Sequence, residues 1–227
     1  MFRDREDAAH LLVQRLKDYP FHDPVVLAIP RGGVVTGAVL ARELGAELDV
    51  VLSRKLRAPF QRELAVGAVA EDGQVYLEPR VREALELTDE YLSEERRCQL
   101  GEIERRKKLF RKVRPPAPVK GRSAIVTDDG IATGSTMIAA LQTVKAQTPH
   151  ELVVAVPVAP FGRLADIRRR CDDVVCVLTP VDFWAIGEFY EDFPQIEDAE
   201  VVSLLSESMA SRRTEDVDSR TILQNHS

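Results

Sequence analysis

The sequence predicts an α/β fold with a doubly wound, mostly parallel sheet of about five strands and helices on both faces. The first observation is the alternation of short apolar runs with helix-like segments in the second half of the chain, which is typical of βαβ units. The second is the continuous apolar run 25–29, which indicates a strand buried on both faces. A chain of 227 residues, 44% hydrophobic and 30% charged, is long enough for one such domain.

The first half of the chain is predicted to contain two helices, two strands and a hairpin. The helices carry apolar residues at helical spacing, and the second one stops at Gly45. The hairpin turns at Glu71-Asp72-Gly73-Gln74, between two apolar segments. In order, the predicted elements are helix 8–16, strand 25–29, helix 34–44, strand 48–52 and the hairpin strands 64–70 and 75–77.

A long charged segment, residues 88–112, separates the two halves. It holds eight basic and six acidic residues and few apolar ones, which predicts a largely exposed helical insertion. Pro115-Pro116-Ala117-Pro118 ends the segment and is predicted to form a stiff connector.

The second half alternates strands with helices and then loses its periodicity. Its strands are predicted over 123–127, 152–157 and 174–178, and its helices over 135–147 and 163–170. Residues 209–227 are polar and aperiodic, so we predict a disordered tail after a single domain that spans 1–208.

The composition argues against several functional classes. A formal net charge of −6 disfavours general affinity for nucleic acid or for anionic membranes. No apolar run approaches the ~20 residues of a membrane helix, and the charged N-terminal segment is unlike a signal peptide. The three cysteines form no CxxC pair, as expected of incidental thiols in a reducing compartment. We therefore expect a cytoplasmic protein.

The segment 125–137 has the physical features of a phosphate cradle. A buried strand ends in two adjacent carboxylates, Asp128 and Asp129, and a turn of small residues leads into a helix. Ligands of open parallel sheets lie beyond the carboxyl ends of the strands, where a helix start offers unpaired N–H groups and a positive dipole end. Hydroxyl donors and flexible glycines in the segment add to the cradle, namely Thr133, Ser135, Thr136, Gly130 and Gly134.

The paired carboxylates distinguish this segment from other phosphate-binding loops. It has neither the GxxxxGK[ST] nor the GxGxxG pattern, and it contains no lysine. Carboxylates repel a phosphate but suit sugar hydroxyls, so the order of residues favours a ribose 5-phosphate that lies across the turn. The simplest alternative is an Asp-Asp turn that caps an ordinary helix.

The segment Val126-Thr127-Asp128-Asp129-Gly130-Ile131-Ala132-Thr133-Gly134-Ser135-Thr136 resembles the diphosphate-sugar binding motif of type I phosphoribosyltransferases. The resemblance covers about 25–202 and implies that family's fold, with a small hood formed here by about 1–24 and 180–205. It implies that the ligand is 5-phosphoribosyl-1-pyrophosphate, with its ribose hydroxyls at Asp128 and Asp129. The 5-phosphate would then be held by Gly130, Ile131, Ala132, Thr133, Gly134, Ser135 and Thr136.

The loop Pro30-Arg31-Gly32-Gly33 also follows a strand and opens a helix. In the family it resembles, this loop holds the pyrophosphate, often through a non-proline cis peptide, which we expect at Pro30–Arg31. Arg31 would supply charge, and Gly32 and Gly33 would supply free N–H groups. The alternative is a plain strand-to-helix turn with a surface arginine.

Two more cations and a metal ion follow from the same resemblance. Arg54 and Lys55 resemble the cationic turn that contacts pyrophosphate, although a solvated pair of charges is the alternative. Mg²⁺ would bridge the pyrophosphate and the ribose, with Asp128 and Asp129 binding it mostly indirectly, through ribose hydroxyls or water. Lys55, Arg31 and the two aspartates are thus the expected catalytic residues.

The sequence leaves alternatives open for the lid and for the residues that bind the base. Residues 56–63 are one candidate lid, and the charged segment 88–112 is another, or else the surface of a homodimer. Phe183 and Trp184 of the hood are candidates for stacking on a base, with a satellite apolar cluster as the alternative.

The implied reaction is transfer of a phosphoribosyl group to a small nitrogenous base, with release of pyrophosphate. Hypoxanthine-guanine members carry an aspartate where this chain has Ala132, which disfavours a 6-oxopurine acceptor; Glu63 is one candidate for the missing base. The second hypothesis is a non-catalytic sensor of the diphosphate sugar, with 88–112 as its partner surface. The cations Arg31, Arg54 and Lys55 favour catalysis, because a sensor need not stabilise a departing pyrophosphate.

Overall fold

The computed structural model describes residues 1–61, 64–77 and 79–224. Its helices are α1 Arg5–Leu16, α2 Gly33–Glu43, α3 Pro79–Ala84, α4 Asp89–Phe110, α5 Ser135–Lys145, α6 Phe161–Arg168 and α7 Asp198–Gln224. Its strands are β1 Val25–Ala28, β2 Glu47–Val50, β3 Ser53–Arg57, β4 Ala65–Ala70, β5 Val75–Leu77, β6 Ser123–Thr127, β7 Glu151–Val158 and β8 Asp173–Leu178. A short 3-10 turn spans Ile186–Phe189.

The main sheet has five parallel strands in the order β2-β1-β6-β7-β8, which confirms the predicted fold class. The central strands β1 and β6 are buried along their whole length, as their continuous apolar runs indicate. Their register pairs Ala28 with Thr127, so both strands end at the same level. The loops that follow β1 and β6 therefore emerge side by side.

Alternate residues of the central strands face two separate cores, because side chains of a strand alternate between its faces. In β1, Val26 and Ala28 pack in a cluster that includes buried residues of α1, α2 and α7. Val25 and Leu27 pack instead with buried residues of α5 and α6. Helices thus cover both faces of the sheet.

A second sheet is antiparallel, with the order β3-β4-β5. The β4–β5 hairpin was predicted, but β3 was not: Arg54 and Lys55 lie within this strand rather than in a turn. The segment Ser53–Arg57 carries three cations and no apolar run, so its own sequence gives little strand signal. Pairing with β4, from Ser53 opposite Ala70 to Arg57 opposite Ala65, makes it a strand.

The charged segment forms α4, as predicted, and packs against β3, β4 and α7. Thr88 caps the helix by accepting the N–H of Tyr91 at 3.2 Å. One side of α4 is buried, and the residues on it are Leu92, Gln99, Ile103 and Phe110. Of the other candidate lid, residues 56 and 57 belong to β3, while Arg62 and Glu63 lie outside the described residues.

The C-terminal helix α7 differs from the prediction. Residues 209–224, expected to be a disordered tail, continue the helix, and 225–227 lie outside the described residues. Val201 and Leu205 anchor its first turns in the core, and extension of a helix that has already nucleated costs little. Nothing in the apolar pattern of 209–224 marks this continuation. Within the ranges that the structure describes, no helix has the length and apolar character needed to cross a bilayer.

Candidate active site

Two loops meet at the carboxyl ends of β1 and β6. A methyl group on Gly33 would lie 2.8 Å from the Cα of Asp128, and one on Gly32 would lie 1.8 Å from Oδ2 of Asp129. Any side chain at either glycine would therefore separate the loops. The Pro30–Arg31 peptide bond is cis, which confirms the expectation for this loop.

The cradle segment runs from Asp128 to the start of α5. Gly134 has φ +84°, a left-handed conformation that favours glycine, and α5 begins at Ser135. The loop borders a cleft of about 190 Å³, which we call the phosphate cleft. Its lining includes six of the seven residues predicted to hold the 5-phosphate; the full set is Lys55, Asp128, Gly130, Ile131, Ala132, Thr133, Gly134, Thr136, Met137 and Ile186. Ser135, the first residue of α5, is buried and does not line the cleft.

Asp128 is the carboxylate that lines the phosphate cleft. Its Oδ1 accepts the backbone N–H of Asp129 at 2.8 Å. Burial, and then the neighbouring charge of Asp129, raises the pKa of Asp128 well above its usual value. Sugar hydroxyls or a cation at this carboxylate would relieve that unfavourable environment.

Asp129 is not among the residues that line the phosphate cleft; its carboxylate is paired with Arg5, a residue that no sequence pattern identified. Nε of Arg5 donates to Oδ2 of Asp129 at 2.8 Å, and the two side chains are only 7% and 12% exposed. The partners stand 124 positions apart, and Arg5 lies within a run of charged residues, 3–7. No local pattern identifies this arginine among its charged neighbours.

The hood reaches Asp129 from the other end of the chain as well. The hydroxyl of Tyr190 donates to the backbone carbonyl of Asp129 at 2.6 Å. The ring of Tyr190 lies 5.1 Å from that of Phe2 and 4.7 Å from that of Phe193. Burial raises the pKa of Tyr190, so the hydroxyl stays a donor.

Phe183 and Trp184, the predicted stacking residues, occupy different environments. Phe183 stacks on Phe189, with ring centroids 5.3 Å apart, and packs on a small apolar cluster of the hood. Trp184 is 88% exposed. The same segment contributes Ile186 to the phosphate cleft, where it packs against Gly130.

The predicted cations lie in different surroundings and have different partners. Lys55 lines the phosphate cleft, whereas Arg54 donates to Gln99 of α4 at 2.7 Å. Arg31 pairs with Glu197 at 3.1 Å. Arg31 also borders a second cleft, of about 370 Å³, together with Arg5, Gly32, Phe193, Pro194, Gln195 and Ile196.

A further arginine from α4, Arg106, joins this group. Burial and then the nearby charge of Arg54 lower the pKa of Arg106, and Arg31 adds to the effect. Its Nε is buried with no hydrogen-bond partner among the described residues, and the carboxylate of Asp198 lies 3.7 Å away. The guanidinium groups of Arg31, Arg54 and Arg106 are thus close enough to repel one another, and an anionic ligand that contacts them would stabilise them. In the sequence, Arg106 is only one of eight basic residues in the charged segment 88–112.

Comparisons with known proteins identify the family of this chain. Residues 4–193 match the family model of the phosphoribosyl transferase domain. Two Mycobacterium tuberculosis proteins, from strains CDC 1551 / Oshkosh and ATCC 25618 / H37Rv and each named "Putative phosphoribosyl transferase", are 43% identical over 205 residues. The match covers 90% of this chain and 46% of each relative, so the chain spans about half the length of these curated proteins.

One solved structure is similar along nearly the whole chain. The crystal structure of TT1426 from Thermus thermophilus has 44% sequence identity and a TM-score of 0.78, and the match covers 91% of this chain and 98% of that one. Together with the family-model match and the arrangement of the two loops, these similarities lead to one conclusion. The chain belongs to the type I phosphoribosyltransferase family.

Proposed function

We propose that this protein transfers the 5-phosphoribosyl group of 5-phosphoribosyl-1-pyrophosphate to a nitrogenous base and releases pyrophosphate. One observation carries the proposal: the glycine loop after β1 and the aspartate loop after β6 touch, with only 2.8 Å from a Cβ on Gly33 to the Cα of Asp128. A turn suited to a phosphate and a glycine loop that carries Arg31 thus flank one carboxylate. A sugar that carries a phosphate at one end and a diphosphate at the other fits this arrangement.

The chain's own groups account for binding of the 5-phosphate. Residues 130–134 wrap around the start of α5, where unpaired N–H groups and the helix dipole favour an anion. Thr133 and Thr136 line the same cleft and add hydroxyl donors. Asp128, two residues before Gly130, is placed to accept hydrogen bonds from the hydroxyls of the ribose.

The leaving pyrophosphate is assigned to the other loop. Backbone N–H groups of Gly32 and Gly33, together with Arg31 and Lys55, would stabilise the negative charge on the pyrophosphate. That charge develops as the bond between the anomeric carbon and the pyrophosphate oxygen breaks. The Arg31 side chain contacts the carboxylate of Glu197, which is exposed and can yield to a stronger anion. Positioning and charge stabilisation, rather than covalent catalysis, would supply the rate enhancement.

Mg²⁺ is proposed as the metal ion that accompanies the diphosphate. Among the described residues, no cluster of three or more His, Cys, Asp or Glu side chains is arranged to hold a metal ion. The donors facing the phosphate cleft are the Asp128 carboxylate and threonine hydroxyls, which are hard oxygen ligands that suit Mg²⁺. When bound, Mg²⁺ supplies positive charge that favours departure of the pyrophosphate.

The acceptor is proposed to be an adenine-like or pyrimidine base. Ala132 lines the phosphate cleft, at the position where the resemblance places an aspartate in hypoxanthine-guanine members. Its methyl group cannot accept or donate a proton. Bases that need no such carboxylate are therefore the first to test.

A pyrophosphate-release assay with 5-phosphoribosyl-1-pyrophosphate, Mg²⁺ and a panel of bases tests the proposal. We expect turnover with at least one base, and a loss of about 10-fold or more in Lys55→Ala, since the charge beside the leaving group is removed. Lys120→Ala, which changes an exposed lysine in a turn outside the phosphate cleft, is the matched control and should leave turnover unchanged. Calorimetry with Thr133→Val/Ser135→Ala should show weaker binding of the diphosphate sugar. Binding without turnover on any base would identify a sensor instead, and no binding would refute both functions.

A further inference from the structure

The two aspartates that share one role in the motif are not equivalent in the structure. Asp128 lines the phosphate cleft beside Lys55. Asp129 is buried, and its carboxylate is held by Arg5 at 2.8 Å. The pairing occupies Oδ2 of Asp129, an acceptor to which a ribose hydroxyl would otherwise donate.

Arg5 joins three parts of the chain. Besides Asp129, its guanidinium donates from Nη1 to the carbonyl of Pro194 at 2.8 Å. The face of the guanidinium lies 3.7 Å from the ring centroid of Phe193, a cation–π contact. The first turn of α1, the aspartate loop and the hood are thereby held together by one buried side chain.

The ion pair also rests against the pyrophosphate loop. A Cβ on Gly32 would lie 1.8 Å from Oδ2 of Asp129 and 3.0 Å from Nε of Arg5. The backbone of the loop therefore packs directly on the pair. Displacement of either partner would change the position of the N–H groups assigned to the pyrophosphate.

The ion pair also reduces the negative charge next to the proposed ligand. Two adjacent carboxylates next to a ligand that carries a phosphate and a diphosphate would repel it. Arg5 neutralises the carboxylate that faces the hood and the loop, and leaves only Asp128 beside the ribose. Tyr190 holds the backbone carbonyl of the same aspartate, which fixes it further.

We propose that Arg5 is a positioning residue. Its ion pair with Asp129 holds the pyrophosphate loop against the hood, and Asp128 is the carboxylate that contacts the ribose. The inference rests on the proposed function, since it assigns roles within that site. It differs from what the motif resemblance implies, where both aspartates bind ribose hydroxyls.

Calorimetry with 5-phosphoribosyl-1-pyrophosphate and Mg²⁺ tests this division without knowledge of the acceptor. Asp128→Asn should weaken binding by about 10- to 100-fold, the loss expected for hydrogen bonds to a charged group. Asp129→Asn should stay within about 3-fold of the unaltered protein, because the nearly isosteric amide can still accept from Arg5 and hold the loop in place, and the negative charge that is lost does not contact the ligand. Equal weakening in the two variants would show that Asp129 also contacts the ribose, and would overturn the inference.

The role of Arg5 is tested by removing its positive charge and then also removing the negative charge of its partner, Asp129. Arg5→Gln should weaken binding by about 10-fold, since the unpaired Asp129 carboxylate then repels the ligand. The double variant Arg5→Gln/Asp129→Asn should return to within about 3-fold of the unaltered affinity, because neither charge of the pair then remains. Arg3→Gln removes an exposed arginine that pairs with Asp7 and should leave binding unchanged.

Two further measurements separate the remaining outcomes: thermal unfolding of Arg5→Gln, and binding of the diphosphate sugar by the unaltered protein. A residue with a structural role alone would change the unfolding temperature in Arg5→Gln while affinity, measured well below that temperature, stayed constant; that result would overturn the inference. If the double variant failed to regain affinity, the charge argument would fail too. If the unaltered protein did not bind the diphosphate sugar, the proposed function itself would be refuted, and the inference with it.

Discussion

Substitution of Gly32 by alanine tests the packing of the site most directly. Gly32 has φ −58° and ψ −38°, ordinary helical values, so alanine can adopt the same backbone conformation. The effect of the substitution is therefore steric. The new methyl group would lie 1.8 Å from Oδ2 and 2.7 Å from Cγ of Asp129, and 3.0 Å from Nε of Arg5.

The size of the effect follows from these distances. Nonbonded carbon and oxygen atoms need roughly 3.3 Å, so the carboxylate must retreat by about 1.5 Å, enough to break its 2.8 Å hydrogen bond to Arg5. Disruption of a buried ion pair costs about 3–5 kcal/mol, and we expect the lower end because both partners remain. At about 2–4 °C per kcal/mol for a chain of this size, the unfolding temperature should fall by roughly 6–12 °C.

Calorimetric unfolding of Gly32→Ala and of a matched glycine variant measures this effect. Gly101 lies exposed in the middle of α4, where an added Cβ meets nothing within 4 Å. Gly101→Ala should therefore stabilise the protein by about 0.5–1 kcal/mol, through helix propensity alone. If Gly32→Ala unfolded within a degree or two of the unaltered protein, the close packing of the two loops would be refuted.

Two further predictions concern reactivity and ligand binding. Burial raises the pKa of the Cys171 and Cys176 thiols to about 11, so at pH 8 only about one in a thousand is a thiolate. Iodoacetamide should therefore modify the exposed Cys98 first, as mass spectrometry of labelled peptides would show; equal labelling of all three would contradict the burial. Glu197→Gln should tighten binding of inorganic pyrophosphate by up to about 5-fold, the worth of an exposed ion pair, because it frees Arg31; weaker binding in calorimetry would indicate that Glu197 orients Arg31 instead.

Much of the architecture could be predicted because its signals are local. Buried parallel strands appear as continuous apolar runs, and β1 and β6 lie within a residue of their predicted limits. Helix starts and turns depend on residue chemistry within a few positions, which is why α5 begins where Gly134 and Ser135 indicate. The loop chemistry of 128–136 likewise pointed to the phosphate cleft.

Elements that depend on their neighbours gave no such signal. Strand β3 is polar and exists because β4 offers it a pairing edge. Helix α7 extends past residue 208 from turns that are anchored in the core. In both cases tertiary contacts outweigh weak local propensity.

The sequence by itself determined the order of elements, the parallel sheet and the two loops that define the candidate site. Only the tertiary structure decided how charge is distributed in the site. It shows which aspartate lines the cleft, and which arginine neutralises the second aspartate. Arg5 and Asp129 meet at 2.8 Å although 124 positions separate them. Local patterns record periodicity and turn chemistry, whereas this contact depends on how α1 packs beside the carboxyl end of β6. A single arginine among charged neighbours is identified only when the fold buries it.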